Sequence, residues 1–230
     1  MKLRGINVIT LLAVDILLVV GGLIYSLISA HYWNLLWVVL LAAWGLILTH
    51  TMTAGHLRVW QGIIDRFGFG GHDQILDLSG GRFNDLLLLA KSLTAPAKVT
   101  GTGDWRQDEK ELQGRINAAK VADRVKLVDA DVFNLNFADR SFDYVLVDLA
   151  FHNIGPALER GRAVQEASRV LKADGTLVIA DCAYIDEYQR ALGNLGFNDI
   201  RVLSTGFNGW WGGPWTTTKV LIAKRYPRRR

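Results

Sequence analysis

The first fifty residues constrain this chain most. Between Ile6 and Thr49 the only formally charged residue is Asp15, and two apolar runs, 6–30 and 32–52, follow one another almost without a break. Each is long enough to cross about 30 Å of hydrocarbon as a helix. A cleaved signal peptide is the competing reading, but the first run is too long for one and a second follows directly. The short link around 31–34 makes the pair a transmembrane hairpin, expected over residues 1–54. Tyr32, Trp33 and Trp37 lie near one end of the second span, as in an interfacial aromatic belt. Lys2 and Arg4 precede the first span, and Arg58 and Arg66 follow the second. The positive-inside rule then puts both ends in the cytoplasm, at a cell (inner) membrane, with any later domain facing the cytosol.

Asp15 in mid-span is costly and invites a functional reading. The alternative is a hydrogen bond inside the hairpin or to another protomer. No other ionisable residue at its depth is available as a relay partner, which favours the alternative. Residues 55–71 place Leu57, Trp60, Ile64 and Phe67 at helical spacing. This stretch is expected to be an amphipathic juxtamembrane helix and linker, lying on the membrane or packing on the following domain.

The rest of the chain has ordinary soluble composition. Cys182 is the single cysteine, so neither an intrachain disulfide nor a cysteine-based metal cage can form, and no metal is expected. Much of the net charge of +4 sits in the tail 224–230. Basic residues beside a membrane are attracted to anionic headgroups. No basic stripe interleaved with aromatics argues for nucleic acid.

From residue 74 strand-like runs (74–79, 98–102, 125–130, 142–150, 175–182) alternate with helical stretches near 84–93, 106–121, 157–172 and 184–195. Near-continuous apolar strands separated by helices predict an α/β fold with a parallel sheet covered on both faces. Runs 199–205 and 216–224 then read as an antiparallel pair at the sheet edge. In such a sheet ligands bind outside the carboxyl ends of the strands, where strand order reverses. Those ends carry Asp77 with the turn Ser79-Gly80-Gly81, Gly103 with Asp104, Asp129 with Asp131, and Asp148 followed by His152. Carboxylates there suit a ligand with hydroxyls, an amine and a ring amino group. No Gly-Lys-Ser/Thr phosphate loop exists, which counts against a nucleoside-triphosphate enzyme.

The stretches "RVKLVDADVFNLNFADRSFDYVLVDLAFHNI" (124–154) and "ERGRAVQEASRVLKADGTLVIAD" (159–181) resemble the class I, type 11-like S-adenosylmethionine-dependent methyltransferases. "GTGDW" (101–105) and "WWGGPWTTTKVLIAK" (210–224) are similar to a bacterial and archaeal subgroup with a Gly-Gly-Pro-Trp ending. The resemblance covers about residues 72–225 and implies a Rossmann-like sheet of seven strands over a domain spanning 72–230, with S-adenosyl-L-methionine as cofactor. It implies that Asp77, Ser79, Gly80 and Gly81 approach the methionine part. It implies that the second-strand end, Gly103 and Asp104, serves the ribose, and that Asp131 and Val132 contact the adenine. Asp148 would sit beside the sulfonium and substrate. Ser79 and Phe83 stand where the family's turn has glycines, and Gly103 stands where its second-strand acid is usual.

Methyl transfer from a sulfonium needs mainly alignment, so no nucleophile triad is required. His152 is the candidate general base, with a packing histidine as the alternative. Trp210, Trp211 and Trp215 either roof an apolar substrate pocket or pack the hairpin edge. The function expected is a membrane-anchored methyltransferase for a small or lipid-like acceptor. The alternative is a catalytically degenerate methyltransferase-fold scaffold or regulatory module at the membrane. A nicotinamide-dependent reductase is disfavoured by the poor glycine fingerprint. Oligomeric state is left open.

Overall fold

The computed structural model describes residues 2–3, 6–29, 31–80, 83–103, 105, 109–211 and 213–225. By its contacts the chain forms two compact units. One comprises residues up to 59 together with 204–218; the other comprises 60–203 and the residues from 219 onward.

In the first unit, helices α1 (Val8–Ser29) and α2 (Asn34–His50) are long and apolar enough, by length and composition, to cross a membrane. Their apolar side chains point outward: Leu17, Leu27 and Ile28 are 72%, 77% and 81% exposed. The buried face holds Val8, Asp15, Ser26, Val38, Gly45 and Leu48. The helices approach through glycine. A Cβ on Gly22 would stand 2.7 Å from Val38, and one on Gly45 would stand 2.1 Å from Asp15 Oδ2. Small residues at the contact let the helix backbones approach closely. Asp15 is thus turned into the hairpin, against α2. After His50 the helix continues through a π-helical turn, Thr51–Gly55, into α3 (His56–Phe67).

The second unit is built on seven strands: β1 Gln74–Asp77, β2 Lys98–Thr102, β3 Val125–Val128, β4 Phe142–Asp148, β5 Leu171–Asp181, β6 Asp199–Ser204 and β7 Lys219–Lys224. Their order across the sheet is β3-β2-β1-β4-β5-β7-β6. Strands β1 to β5 run parallel, and β7 lies antiparallel to β5 with Lys219 opposite Asp181. The expected α/β sheet is present, with the reversed strand inserted between β5 and the edge strand β6. Strand order reverses between β1 and β4, so a crevice is expected outside their carboxyl ends.

Burial explains the near-continuous apolar runs. Leu177, Val178, Ile179 and Ala180 in β5 are all fully buried, as befits a strand covered on both faces. Helices α4 (Phe83–Ser92), α5 (Glu109–Ala118), α6 (Ala157–Val170) and α7 (Ile185–Asn194) supply that cover. From α6, Ala163, Val164, Ala167 and Val170 enter the core, at spacings of three and four that keep them on one face. Helix α3 buries Trp60, Ile63 and Ile64, while Leu57 is 46% exposed, so its packed face lies one position round from the expected one.

Strand β5 begins at Leu171, four residues before the expected 175, and pairs Leu171 with Phe142. Lys172 then bonds Asp143 at 2.8 Å, and a Cβ on Gly175 would lie 2.9 Å from the Asp143 carbonyl. The glycine of "KADG" thus lets β5 run close to β4 where a side chain would push it off.

Candidate functional site

The crevice predicted by strand order is an open cleft of about 600 Å³. It is lined by Leu78, Gly80, Thr102, Gly103, Asp129, Ala130, Asp131 and Val132. These residues lie at or just past the carboxyl ends of β1, β2 and β3. At β1 the carboxylate of Asp77 folds back on its own turn: Oδ1 accepts the Ser79 N–H at 3.0 Å and also the Ser79 hydroxyl. This Asx-type turn is carried on by Gly80, whose φ of +63° favours a glycine, and open space lies where its side chain would be. Thr102 Oγ1 donates to the Asp77 carbonyl at 2.9 Å, tying the ends of β1 and β2 together.

Asp77 is 7% exposed. Burial pushes its carboxyl up to about 7; the Ser79 bonds pull it down, and Asp148 and Asp85 push it up further. Its proton is therefore exchangeable near neutral pH, and a cation brought beside it would displace that proton.

At β3, Asp129 and Asp131 are both exposed. Asp129 Oδ1 accepts the Trp105 N–H at 3.2 Å, and Asp131 Oδ1 accepts the Phe133 N–H at 3.0 Å. The Trp105 indole is 8% exposed and donates to the Gly101 carbonyl at 3.3 Å, which fixes the β2 end beside them.

Of the residues expected at the cofactor, Gly80, Gly103, Asp131 and Val132 line this one cleft. Asp77 and Ser79 are buried in the turn that forms its edge. Gly81 and Asp104 lie outside the described residues. Asp148, at the end of β4, is 1% exposed, is not among the lining residues, and acts on Asp77 through its charge. Leu149 follows it with a φ of +46°, held by its N–H to the Ala180 carbonyl (2.8 Å). A leucine in that region is strained by roughly 1–2 kcal/mol, a feature that no residue type announces in advance.

His152 stands apart from the cleft. Its side chain is 1% exposed, and Nδ1 bonds Asp181 Oδ1 at 2.6 Å. Burial works against the imidazolium, but the bonds and charge of Asp181 and Cys182 outweigh it and push the ring up to about 10. An imidazole already protonated at neutral pH has no lone pair for a substrate proton. The Asp181 carboxylate also accepts the His152 N–H (3.0 Å), the Cys182 N–H (2.8 Å) and the Tyr188 hydroxyl (3.2 Å). Burial, then Asp181, push that hydroxyl well above the usual tyrosine range. His152, Asp181 and Cys182 come close enough to hold a metal ion, yet four donors already occupy the carboxylate, about what its lone pairs accept. The cluster joins β5, the turn after β4 and α7, and sequence reasoning singled out only its histidine.

Thr102, Ala130 and Leu78 are cleft residues absent from the expected set, and Asp129, expected at the strand end, carries no expected contact of its own. Asp129 had a visible signal: it precedes Asp131 by two residues at the same strand end.

The donor set fits S-adenosylmethionine. Carboxylates match hydroxyls and amines, Gly80 leaves room for close approach, and no Lys or Arg lines the cleft among the described residues. Residues 76–179 match the family described as a methyltransferase domain. The demethylmenaquinone methyltransferase of Lactiplantibacillus plantarum is 32% identical over 141 residues, 61% of this chain and 58% of that protein. The chain spans about half the length of the curated relatives it matches. A SAM-dependent methyltransferase from Aquifex aeolicus superposes with a TM-score of 0.56 at 17% identity, covering 72% of this chain and 89% of that one. The [4+2]-cyclase SpnF superposes with a TM-score of 0.58 at 16% identity, covering 74% and 80%. At these identities the likeness speaks for the fold. Residues 76–179 are thus similar in sequence to that family, and by strand order the whole sheet has the Rossmann-like methyltransferase fold.

Proposed function

We propose that this chain is a membrane-anchored, S-adenosylmethionine-dependent methyltransferase whose acceptor is a small, lipid-like molecule of the quinone class. The observation that carries the reading is the acidic, phosphate-averse cleft at the strand-order switch of a methyltransferase fold. The quinone class is supported by the name of the demethylmenaquinone relative, and the anchor by two apolar helices with outward-facing leucines. Lys2, Arg4, Arg58 and Arg66 support a cytosolic catalytic domain.

When bound, S-adenosylmethionine supplies a methyl group on a sulfonium, a good leaving group. The chain's part is then to bind and align. Asp129 and Asp131 accept hydrogen bonds from hydroxyls and a ring amine, and Val132 offers apolar contact to the ring. Gly80 lets the backbone approach, and Gly103 stands at the second-strand edge. The Asp77 carboxylate, preset by Ser79, places negative charge near the cationic end, with Asp148 adding to that field. His152 acts as a positioning residue that fixes the β4 end through Asp181.

A second reading is a catalytically degenerate scaffold, favoured by the burial of His152 and by Ser79 in the glycine turn. The test is transfer of labelled methyl from S-adenosylmethionine to a bacterial lipid extract by the full chain in vesicles. Label in the quinone fraction supports the enzyme. Cofactor binding without transfer to any lipid fraction supports the scaffold.

A further inference from the structure

Helix α2 has 17 residues, about 26 Å at 1.5 Å per residue, close to the roughly 30 Å of a hydrocarbon core. At its first end Tyr32, Trp33 and Trp37 are 66%, 89% and 66% exposed. At its second end the π-helical turn Thr51–Gly55 receives the segment 204–218, in the same compact unit. Thr51 Oγ1 donates to the Trp210 carbonyl, and His50 Nε2 bonds Asn208 Oδ1 at 3.2 Å. The imidazole stacks on Phe207 at 4.7 Å. Gly55 packs against the Asn208 carbonyl, where a Cβ would come within 2.4 Å. Helical turns of the π type recur at functional positions; this one carries a docked loop.

The segment is also fastened internally. The Trp211 N–H donates to the Thr216 carbonyl (2.8 Å), and Trp211 Nε1 donates to Thr218 Oγ1 (2.9 Å). The Thr218 N–H donates to the Gly209 carbonyl (2.9 Å). The Trp215 indole lies over Gly213, at 2.3 Å from where a Cβ would stand. The fastening leaves two rings outside: Trp215 is 74% exposed and Phe207 is 49% exposed. Holding large apolar rings in water is unfavourable, whereas the headgroup boundary of a bilayer favours aromatic rings.

We propose that segment 204–218 is an interfacial element. Phe207 and Trp215 sit in the headgroup–acyl boundary at the His50 end of α2, one hydrocarbon thickness from Trp33. The inference rests on the reading that α1 and α2 span the membrane. Its occupant is the lipid surface, because Phe207 stacks on His50 at the second end of α2, about one helix length from Trp33, where a second aromatic belt belongs. The segment is the chain connection between strands β6 and β7.

The test uses the full chain in phosphatidylcholine–phosphatidylglycerol vesicles, with Trp215→Cys or, separately, Phe207→Cys labelled by a polarity-sensitive nitrobenzoxadiazole dye. The unsubstituted chain, whose Cys182 is buried, is the labelling control. Leu158→Cys on α6, 72% exposed, is the reference position. The expected result is blue-shifted emission at 215 and 207, quenched several-fold by lipids spin-labelled high on the acyl chain, with 158 unquenched. Water-like, unquenched emission at both positions overturns the inference. So does a blue shift without lipid quenching, which marks a protein partner such as a second copy. Alkaline carbonate extraction separates the two readings. A chain retained in the membrane with unquenched dye defeats this inference alone, and a chain released by carbonate defeats the anchor and this inference together.

Discussion

The hairpin and the sheet use the same apolar residues in opposite senses. In the sheet unit Leu177, Val178 and Ile179 are fully buried; in the hairpin Leu17, Leu27 and Ile28 are more than two-thirds exposed. Each unit also buries a carboxylate, with different partners. Asp181, buried in the sheet unit, is matched by four donors, whereas Asp15 is turned inward against Gly45 of α2. The contrast teaches that each unit uses apolar residues in its own way, and it underlies the proposal that the hairpin's solvent is lipid. In the sheet unit water drives apolar side chains together; in the hairpin the helices meet through close glycine contacts, and the outward leucines would match hydrocarbon under the proposed membrane anchoring.

The comparison breaks most sharply at Asp181. Asp181→Ala leaves a buried imidazolium without its carboxylate, and losing one partner of a buried pair costs about 3–5 kcal/mol. Denaturant unfolding of the sheet unit should shift by that amount, and a shift under about 1 kcal/mol would deny the cluster its structural role.

A paired substitution sharpens the contrast. Leu177→Ala should cost about 2–5 kcal/mol, while Leu27→Ala on the outward face of α1 should change stability by less than about 0.5 kcal/mol. Equal losses in detergent-solubilised chain would contradict the inside-out assignment.

Smaller is the pH effect of Asp77, held up to about 7 chiefly by burial. The unfolded carboxyl titrates near its ordinary value of about 4. Between those values the folded state binds the extra proton, so stability falls as pH rises from about 4 to about 7, by a few kcal/mol at most. The melting temperature at pH 5 minus that at pH 8 should be larger for the native chain than for Asp77→Asn. Identical differences would contradict the assignment.

The smallest effect concerns the docked segment. Thr51→Val removes one hydrogen bond to Trp210, worth about 1 kcal/mol, and should raise protease cleavage within 204–218 while leaving the sheet's unfolding unchanged.

Much of this was legible in the sequence because it is local. Alternation placed Asp77 and Asp131 at strand ends, and 3.6-residue spacing found three of α3's apolar positions. The hairpin was plain from a run with one charge. What stayed hidden depends on partners far along the chain. Segment 204–218 meets Thr51 across some 159 positions, and nothing in "GFNGWW" names a helix as its neighbour. The proton on His152 depends on Asp181, 29 residues away, so the sequence left it between a base and a packing histidine, whereas its surroundings hold it as a cation. The left-handed backbone at Leu149 and the early start of β5 follow from tertiary contacts that residue type does not encode.

The central claim is that acids at neighbouring strand ends form one adenosyl-binding cleft. The most direct test is calorimetric titration of S-adenosylmethionine into the full chain in lipid nanodiscs, repeated with Asp131→Ala. The account predicts saturable binding that tightens as pH rises through about 7 as Asp77 loses its proton, and a loss of about tenfold or more in affinity for Asp131→Ala, the size of one good hydrogen bond to a charged group. No heat at millimolar cofactor, or undiminished affinity in Asp131→Ala, would contradict it.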